Sequence, residues 1–397
     1  TDPLELQAVY DIMRATGNEW AESIPDVCRS RWHGIECLPD DDGGGALHVV
    51  SLSFGALSDD TAFPTCGSMN PVISEAVTKL PRLRSLFFYR CLDGNPQEIP
   101  RFLGELGSGL RNLVLRGNGH VGGIPEELGN LTGLEVLDLH GNDLSGAVPA
   151  SLGRIRGLRS LDLSWNRLSG SVPSVDFPVI RVLDLNGNRF AGALPIRMLS
   201  SGDALLKVDL SGNEFSGGIH GLSALKNLIL LDLSYNELVG ALPESLSGLA
   251  SLQALILAGN PMAGAALPET AFVGLSSLLV LVLSDMSLEG PIPRSIGELK
   301  TLRVLRLDGN RLNGSIPESF SALSRLSELR LDSCRLTGPI PFTGEMISRM
   351  GRKLRLENNL GLCYGGGGIE DDLMIADGIP RCDTLNGRPD VEIERLS

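Results

Sequence analysis

Leu134-Glu-Val-Leu137-Asp-Leu139-His-Gly-Asn142-Asp-Leu144-Ser-Gly146-Ala-Val148-Pro149 is one turn of a repeat. Its Leu-x-Leu-x-x-Asn signature returns at Asn118, Asn142, Asn166, Asn188, Asn213, Asn236, Asn260, Asn310 and Asn359, with Met286 and Cys334 at the two positions between Asn260 and Asn359. A period of about 24 residues is too short for a domain, and one such unit cannot bury its own leucines, so the units must stack on one another. The apolar residues point into a shared interior, and the Asn bends the chain out of its strand. Its amide can hydrogen-bond the backbone of neighbouring turns, giving a ladder of satisfied buried side chains. Cys334 fits the same place as a small buried thiol, whereas Met286 only fills volume.

Working backwards in the same register adds Leu83-Arg-Ser-Leu86-Phe-Phe88-Tyr-Arg-Cys91 and a weaker unit at Val50-Ser-Leu52-Ser-Phe54. Thirteen stacked strands are therefore expected. At ~4.8 Å between strands they form a surface roughly 60 Å long, suited to gripping a macromolecule and too open for a small-molecule substrate. The second half of each turn, as in Gly123-Ile124-Pro125 and Gly290-Pro-Ile292-Pro293, resembles the plant extracellular class of leucine-rich repeat. Proline lacks an amide hydrogen, so this half suits an edge or an irregular convex wall. The expected fold is an α/β-type solenoid, a plant extracellular leucine-rich repeat superhelix with its parallel strands on the concave face and disulfide-stapled caps at both ends.

Four regions follow: an N-terminal cap (1–47), a first strand with an irregular insertion around Cys66 (48–80), the repeat array (81–359), and a C-terminal cap with a flexible tail (360–397). The cap opens with Pro3 at a helix start and Leu4, Leu6, Ala8, Val9, Ile12 and Met13 on a helical period. Asp40 to Gly45 reads as a loop.

A net charge of -14 argues against nucleic acid or an anionic membrane surface as partner. The seven cysteines gather at the ends: Cys28, Cys37, Cys66 and Cys91 early, Cys334, Cys363 and Cys382 late. Staples there require an oxidising compartment. Proximity along the chain pairs Cys66 with Cys91 and Cys363 with Cys382, leaving Cys334 free. Two sequons, at Asn130 and Asn313, fit secretion as candidate glycosylation sites. No apolar run of about 18 residues is present, so the chain reads as a mature or trimmed ectodomain, secreted or anchored at the outer face of the plasma membrane.

Catalytic chemistry finds no footing. The five histidines, His33, His48, His120, His140 and His220, sit on separate turns, and neither metal-ligand nor triad spacing occurs, so no enzyme activity, cofactor or metal is expected. Gly117-x-Gly119-x-x-Gly122 matches a dinucleotide fingerprint only by accident, because no crossover helix follows.

What remains is the concave face. The residue between the two strand leucines reads Asp138, Asp162, Asp184, Asp209, Asp232, then Ile256 and Val282, then Arg306, Arg330 and Arg355, with Asp308, Asp332 and Glu357 in the column beside the arginines. Together with His140 and the aromatics Trp165 and Tyr235, the aspartates and arginines are the candidate partner-binding residues. Leu-Asp-Leu-Ser is also common wording for this repeat, so scaffold habit competes with ligand binding as its explanation. Because these side chains point away from the core, substituting them is expected to leave stability nearly unchanged.

Several stretches are similar to one group of plant receptor-like proteins, that containing TOO MANY MOUTHS and Piriformospora indica-insensitive protein. They are Leu86-Phe87-Phe88-Tyr89-x-Cys91 after the Cys66 insertion, and Gly351-Arg-Lys353-Leu354-x-Leu356-x-Asn-Asn359 before Leu362-Cys363. Gly259-Asn260-Pro261-Met262 and Leu283 to Gly290 resemble the second branch more. Cys28-Arg-Ser-Arg-Trp32-His-Gly34-Ile-Glu-Cys37 resembles the end of plant N-terminal repeat caps, which implies a Cys28–Cys37 bridge. The likeness implies a kinase-less ectodomain that recognises a secreted peptide, a receptor-kinase ectodomain of ERECTA type, or both, in development or in the response to microbes. A secreted inhibitor of microbial cell-wall hydrolases, similar to polygalacturonase-inhibiting proteins, is the alternative from another class.

Overall fold

The protein was analysed as a computed structural model that describes residues 1–30, 32–39, 45–55, 64–67, 69–199, 204–359, 361–365 and 378–385. The expected Asp40–Gly45 loop lies outside them apart from Gly45, as does most of the expected tail. The chain divides into two compact units, Thr1–Glu214 and Phe215–Ser397.

The first unit begins with helix α1 (Pro3–Ala15). Asp2 caps it by accepting the N–H groups of Leu4 and Glu5, and Pro3 takes the first turn, where its missing N–H costs nothing. Ala8, Val9, Ile12 and Met13 are buried as the period predicts, but Leu4 is 77% exposed and Glu5 only 2%. Glu5 turns inward because its carboxylate accepts from the Val49 N–H (2.9 Å) and meets His48 Nδ1 (2.7 Å), tying the cap to the first strand. The described part of the Cys66 insertion packs against the same helix: Val72 N–H donates to the Ala15 carbonyl, and Asn18 Nδ2 to that of Thr65.

Seven parallel strands follow in the first unit: Leu47–Gly55, Ser85–Tyr89, Asn112–Arg116, Val136–Asp138, Ser160–Asp162, Val182–Asp184 and Lys207–Asp209. The second unit holds six: Leu230–Asp232, Ala254–Ile256, Val280–Val282, Val304–Arg306, Glu328–Arg330 and Leu354–Arg355. The thirteen expected strands are present, one per turn. An additional strand, Ile35–Pro39, pairs antiparallel with Leu47–Gly55 and covers the sheet edge, which would otherwise offer unpaired backbone groups. The proline-bearing halves of several turns form short parallel ladders of their own, such as Asp143–Gly146 with Arg167–Gly170 and Arg311–Gly314 with Arg335–Pro339.

Between these walls the leucines are buried and the Asn ladder forms. Asn166 Nδ2 donates to the carbonyls of Leu139 and Leu163, and its Oδ1 accepts from the Leu144 N–H at 3.0 Å. Asn213 does the same for Leu185, Leu210 and Phe190. Cys334 takes up part of this role by pointing its thiol at the Leu307 carbonyl, 3.4 Å away. Met286 contributes only its backbone N–H, donated to Asn310 Oδ1. Disulfides link Cys28 to Cys37 and Cys363 to Cys382 near the two ends, and Cys66 to Cys91, with Cα separations of 5.6, 4.9 and 5.0 Å. Cys334 is unbridged and buried.

Candidate functional site

Strand register fixes the acidic column. In the first unit Asp138, Asp162, Asp184 and Asp209 are successive in-register partners on adjacent strands. Each also has a local task. Asp138 Oδ1 accepts the N–H of His140, Asp162 that of Ser164, Asp184 that of Asn186 and Asp209 that of Ser211, all at 3.0–3.2 Å. Asp232 in the second unit does the same for Ser234 at 2.9 Å. The carboxylate thus satisfies a backbone donor where each strand bends away, which gives scaffold habit a physical cause.

The column is not uniformly acidic. Arg116 places Nε 3.1 Å from Asp138 and Nη2 3.1 Å from Asp162, bridging two strands. His140 Nδ1 lies 2.7 Å from Ser164 Oγ. Among the described residues no arginine pairs with Asp184, where burial, and then repulsion by Asp162 and Asp209, pushes the carboxyl up to about 6. Burial also raises Asp138 above the ordinary carboxylate range. Arg116 had a signal in the sequence: it stands in the column of His140, Ser164, Asn186 and Ser211, where an arginine is out of pattern, but only strand spacing shows that its fork spans two carboxylates.

In the second unit the arginines find a partner other than the column beside them. Arg306 and Arg330 both turn to Glu328, with Arg306 Nε and Nη2 at 2.7 and 2.6 Å from Glu328 Oε1 and Arg330 Nε at 3.6 Å. Glu328 lies two residues before Arg330 on one strand, so their side chains leave the same face. Asp308 instead accepts from Ser284 Oγ, and burial, then the charges of Asp308 and Glu357, raises Asp332. Only Arg355 pairs as the column suggests, with Glu357 at 3.2 Å.

Trp165 and Tyr235 are 62% and 66% exposed, and both adopt left-handed backbone, φ 54° and 53°. Most other repeats place a glycine there, among them Gly117, Gly141, Gly187 and Gly212. Each ring lies close to the equivalent glycine of the next turn: a Cβ built on Gly187 would stand 3.3 Å from the Trp165 ring, and one on Gly259 2.6 Å from that of Tyr235. Both rings nevertheless remain largely exposed. Phe87 and Tyr89 stack on each other at 6.0 Å, whereas Phe88 is core and stacks on Phe54. Asn130 and Asn313 are exposed.

Among the described residues no group of carboxylates, histidines and cysteines could hold a metal ion, and no helix is long and apolar enough to cross a membrane.

Leucine-rich repeat family models match residues 108–168 and 219–262, and residues 301–323. A segment of 136 residues, 34% of this chain and 27% of the relative, is 67% identical to the protein TOO MANY MOUTHS of Arabidopsis thaliana. Another of 140 residues, 34% of this chain and 32% of the relative, is 35% identical to Piriformospora indica-insensitive protein 2 of the same plant. The higher identity goes to TOO MANY MOUTHS. These alignments span less than a third of the relatives' length. Among solved structures, the plant peptide hormone receptor RGFR1 in complex with RGF2 is 32% identical with a TM-score of 0.66, over 74% of this chain and 46% of that one. PEPR1 with AtPEP1 is 27% identical with a TM-score of 0.66, over 86% and 52%. The repeat ladder, the stapled caps and these matches together show a leucine-rich repeat fold, with segments similar to the plant receptor-like proteins of the group that contains TOO MANY MOUTHS.

Proposed function

We propose that this chain is the extracellular recognition region of a kinase-less receptor-like protein, which binds a secreted peptide, a receptor-kinase ectodomain of the ERECTA type, or both, through its strand face. The observation that carries this reading is the pair Trp165 and Tyr235. A bulky residue in left-handed backbone costs on the order of 1–2 kcal/mol, and exposing an aromatic ring gains nothing in the free protein. Arg90, Asp285, Ser333 and Asn358 share this left-handed backbone at the same place in the turn, but among the described residues it holds an exposed aromatic ring only at Trp165 and Tyr235, as rigid contact anchors require. Asp184 and Asp209 in the first unit, and the Arg306–Glu328–Arg330 group in the second, are the charged candidates of their own units. Likeness to receptor ectodomains solved with peptide hormones supports the class of ligand. Sequons at Asn130 and Asn313 and the disulfides fit an extracellular setting, and we take both asparagines as glycan carriers.

The test is titration of the purified chain against ERECTA-type receptor-kinase ectodomains, with and without secreted cysteine-rich peptides. Saturable binding that Trp165→Ala or Tyr235→Ala weakens by roughly 2 kcal/mol or more, mainly through faster dissociation, is the expected outcome. Absence of a complex under every combination would overturn the proposal.

A further inference from the structure

Arg90 occupies, near the start of the repeat array, the turn position that holds Trp165 and Tyr235 further along. It is exposed and keeps left-handed backbone, φ 47°, where the next two turns use Gly117 and Gly141. Together with Tyr89, Asp93, Arg116, Gly117 and Gly141 it lines a pocket of about 340 Å³ in the first unit. Arg116 is committed to Asp138 and Asp162. Arg90 and Asp93 are different: they line one pocket with opposite charges, yet among the described residues neither forms an ion pair, with the other or with a third group. Both stand on fixed backbone. The Arg90 N–H donates to the Arg116 carbonyl at 3.0 Å. Asp93 follows Cys91 and Leu92, whose N–H groups donate to Asn118 Oδ1 at 2.8 and 3.2 Å, and Cys91 is bridged to Cys66. The glycine beneath Arg90 is required, since a Cβ built on Gly117 would stand 3.0 Å from the Arg90 Cγ.

We propose that this pocket binds a free α-amino acid, its carboxylate on Arg90 and its ammonium on Asp93. The charges decide the class of ligand. A group of either single sign would be attracted by one wall and repelled by the other, whereas a zwitterion is matched at both ends. A guanidinium offers a carboxylate two parallel hydrogen bonds, and the Asp93 carboxylate accepts from an ammonium. Size narrows the ligand further. A volume of about 340 Å³ lies near the lower end for small-molecule sites, which suits one amino acid, and a residue inside a peptide chain has neither of the two backbone charges. Tyr89, stacked on Phe87 at 6.0 Å, adds an aromatic ring for the ligand's side chain. Because the backbone under both charged groups is held before the ligand arrives, less ordering opposes binding.

The experiment titrates L-phenylalanine into the whole chain by calorimetry, with no receptor or peptide present, so its outcome is independent of the recognition function proposed above. L-phenylalanine binds wild-type protein saturably. Phenethylamine, which lacks the carboxylate, and 3-phenylpropionate, which lacks the ammonium, each bind about tenfold or more weakly. N-acetyl-L-phenylalaninamide, which stands for a residue inside a peptide, does not bind. Arg90→Gln lowers affinity for L-phenylalanine about tenfold or more and no longer distinguishes it from phenethylamine; Asp93→Asn does the same with respect to 3-phenylpropionate. A structural defect would instead weaken every ligand together. Arg335→Gln, at an exposed arginine of the second unit, leaves affinity unchanged. Should either pocket variant fail to fold, the analogue series on wild-type protein still decides. The proposal is overturned if L-phenylalanine does not bind at millimolar concentration, if either analogue or the capped amide binds as tightly, if the two pocket variants keep wild-type affinity and ligand order, or if Arg335→Gln loses as much as they do.

Discussion

Asp184→Asn should make the protein more stable at neutral pH and leave it unchanged at pH 4. The Asp184 carboxyl sits at about 6, burial being the first cause and the charges of Asp162 and Asp209 the next. Against an ordinary value near 3.9, and at 1.36 kcal/mol per unit, the native state holds this proton more tightly than the unfolded chain by at most about 3 kcal/mol. The side chain is only half-buried, so solvent screening reduces this to roughly 1–2 kcal/mol. The sign follows from proton binding: between about pH 4 and 6 the native state carries more of the proton, so stability falls as pH rises through that window and the full penalty is present above about pH 7. Asparagine keeps the oxygen that accepts the Asn186 N–H and removes the charge. Thermal melting of both proteins from pH 4 to 7.5 is the assay. The variant should gain roughly 2–5 °C at pH 7.5, for a cooperative unit of about 200 residues, and nothing at pH 4. An equal loss at both pH values would refute the reasoning, since it would mean that the charged cap on Asn186 outweighs repulsion along the column.

Three further outcomes are expected. Trp165→Gly and Tyr235→Gly relieve left-handed strain, so stability should stay within about 1 kcal/mol of wild type in melting experiments while partner binding weakens by roughly 2 kcal/mol or more. Asn213→Ala strips three hydrogen bonds from buried backbone groups and should cost about 2–4 kcal/mol by denaturant unfolding, far more than Asn358→Ala on the exposed side of the ladder. Burial, its main cause, pushes the Cys334 thiol up to about 11, so a thiol reagent at pH 8 should label it only after unfolding.

The ladder was legible because its period is rigid: a Leu-x-Leu-x-x-Asn register that repeats every 24 residues or so leaves one way to place each side chain, in or out. The strand Ile35–Pro39 was less so. It owes its conformation to the open edge beside Leu47–Gly55 and not to a repeat of its own, although the spacing of Ile35 and Cys37 carries a faint period of two. Leu4 and Glu5 exchange their expected roles because one buried carboxylate satisfies a backbone donor and a histidine that no helical period contains. On the strand face the sequence shows which columns are charged but not which charges meet, since reach across strands depends on side-chain length. Arg116 spans two aspartates, and Glu328 gathers two arginines.

The reach of Arg116 also explains why the face is uneven. Every aspartate in the column caps a backbone donor, and where its charge is kept it can be compensated from a neighbouring column. Arg116 compensates Asp138 and Asp162; the corresponding position beside Asp184 is Asn186, whose amide reaches Asp209 at 3.3 Å but brings no charge. Negative charge therefore collects around Asp184 and Asp209, offset in part by Lys207, close in sequence to the exposed Trp165 ring. Burial first, and repulsion next, raise Asp184, and a basic partner side chain placed beside it would favour the charged carboxylate, so complex formation should expel a proton near pH 6. Calorimetric titration in buffers of different ionisation enthalpy reads that proton directly, and an unchanged binding enthalpy across buffers would place the partner elsewhere on the chain.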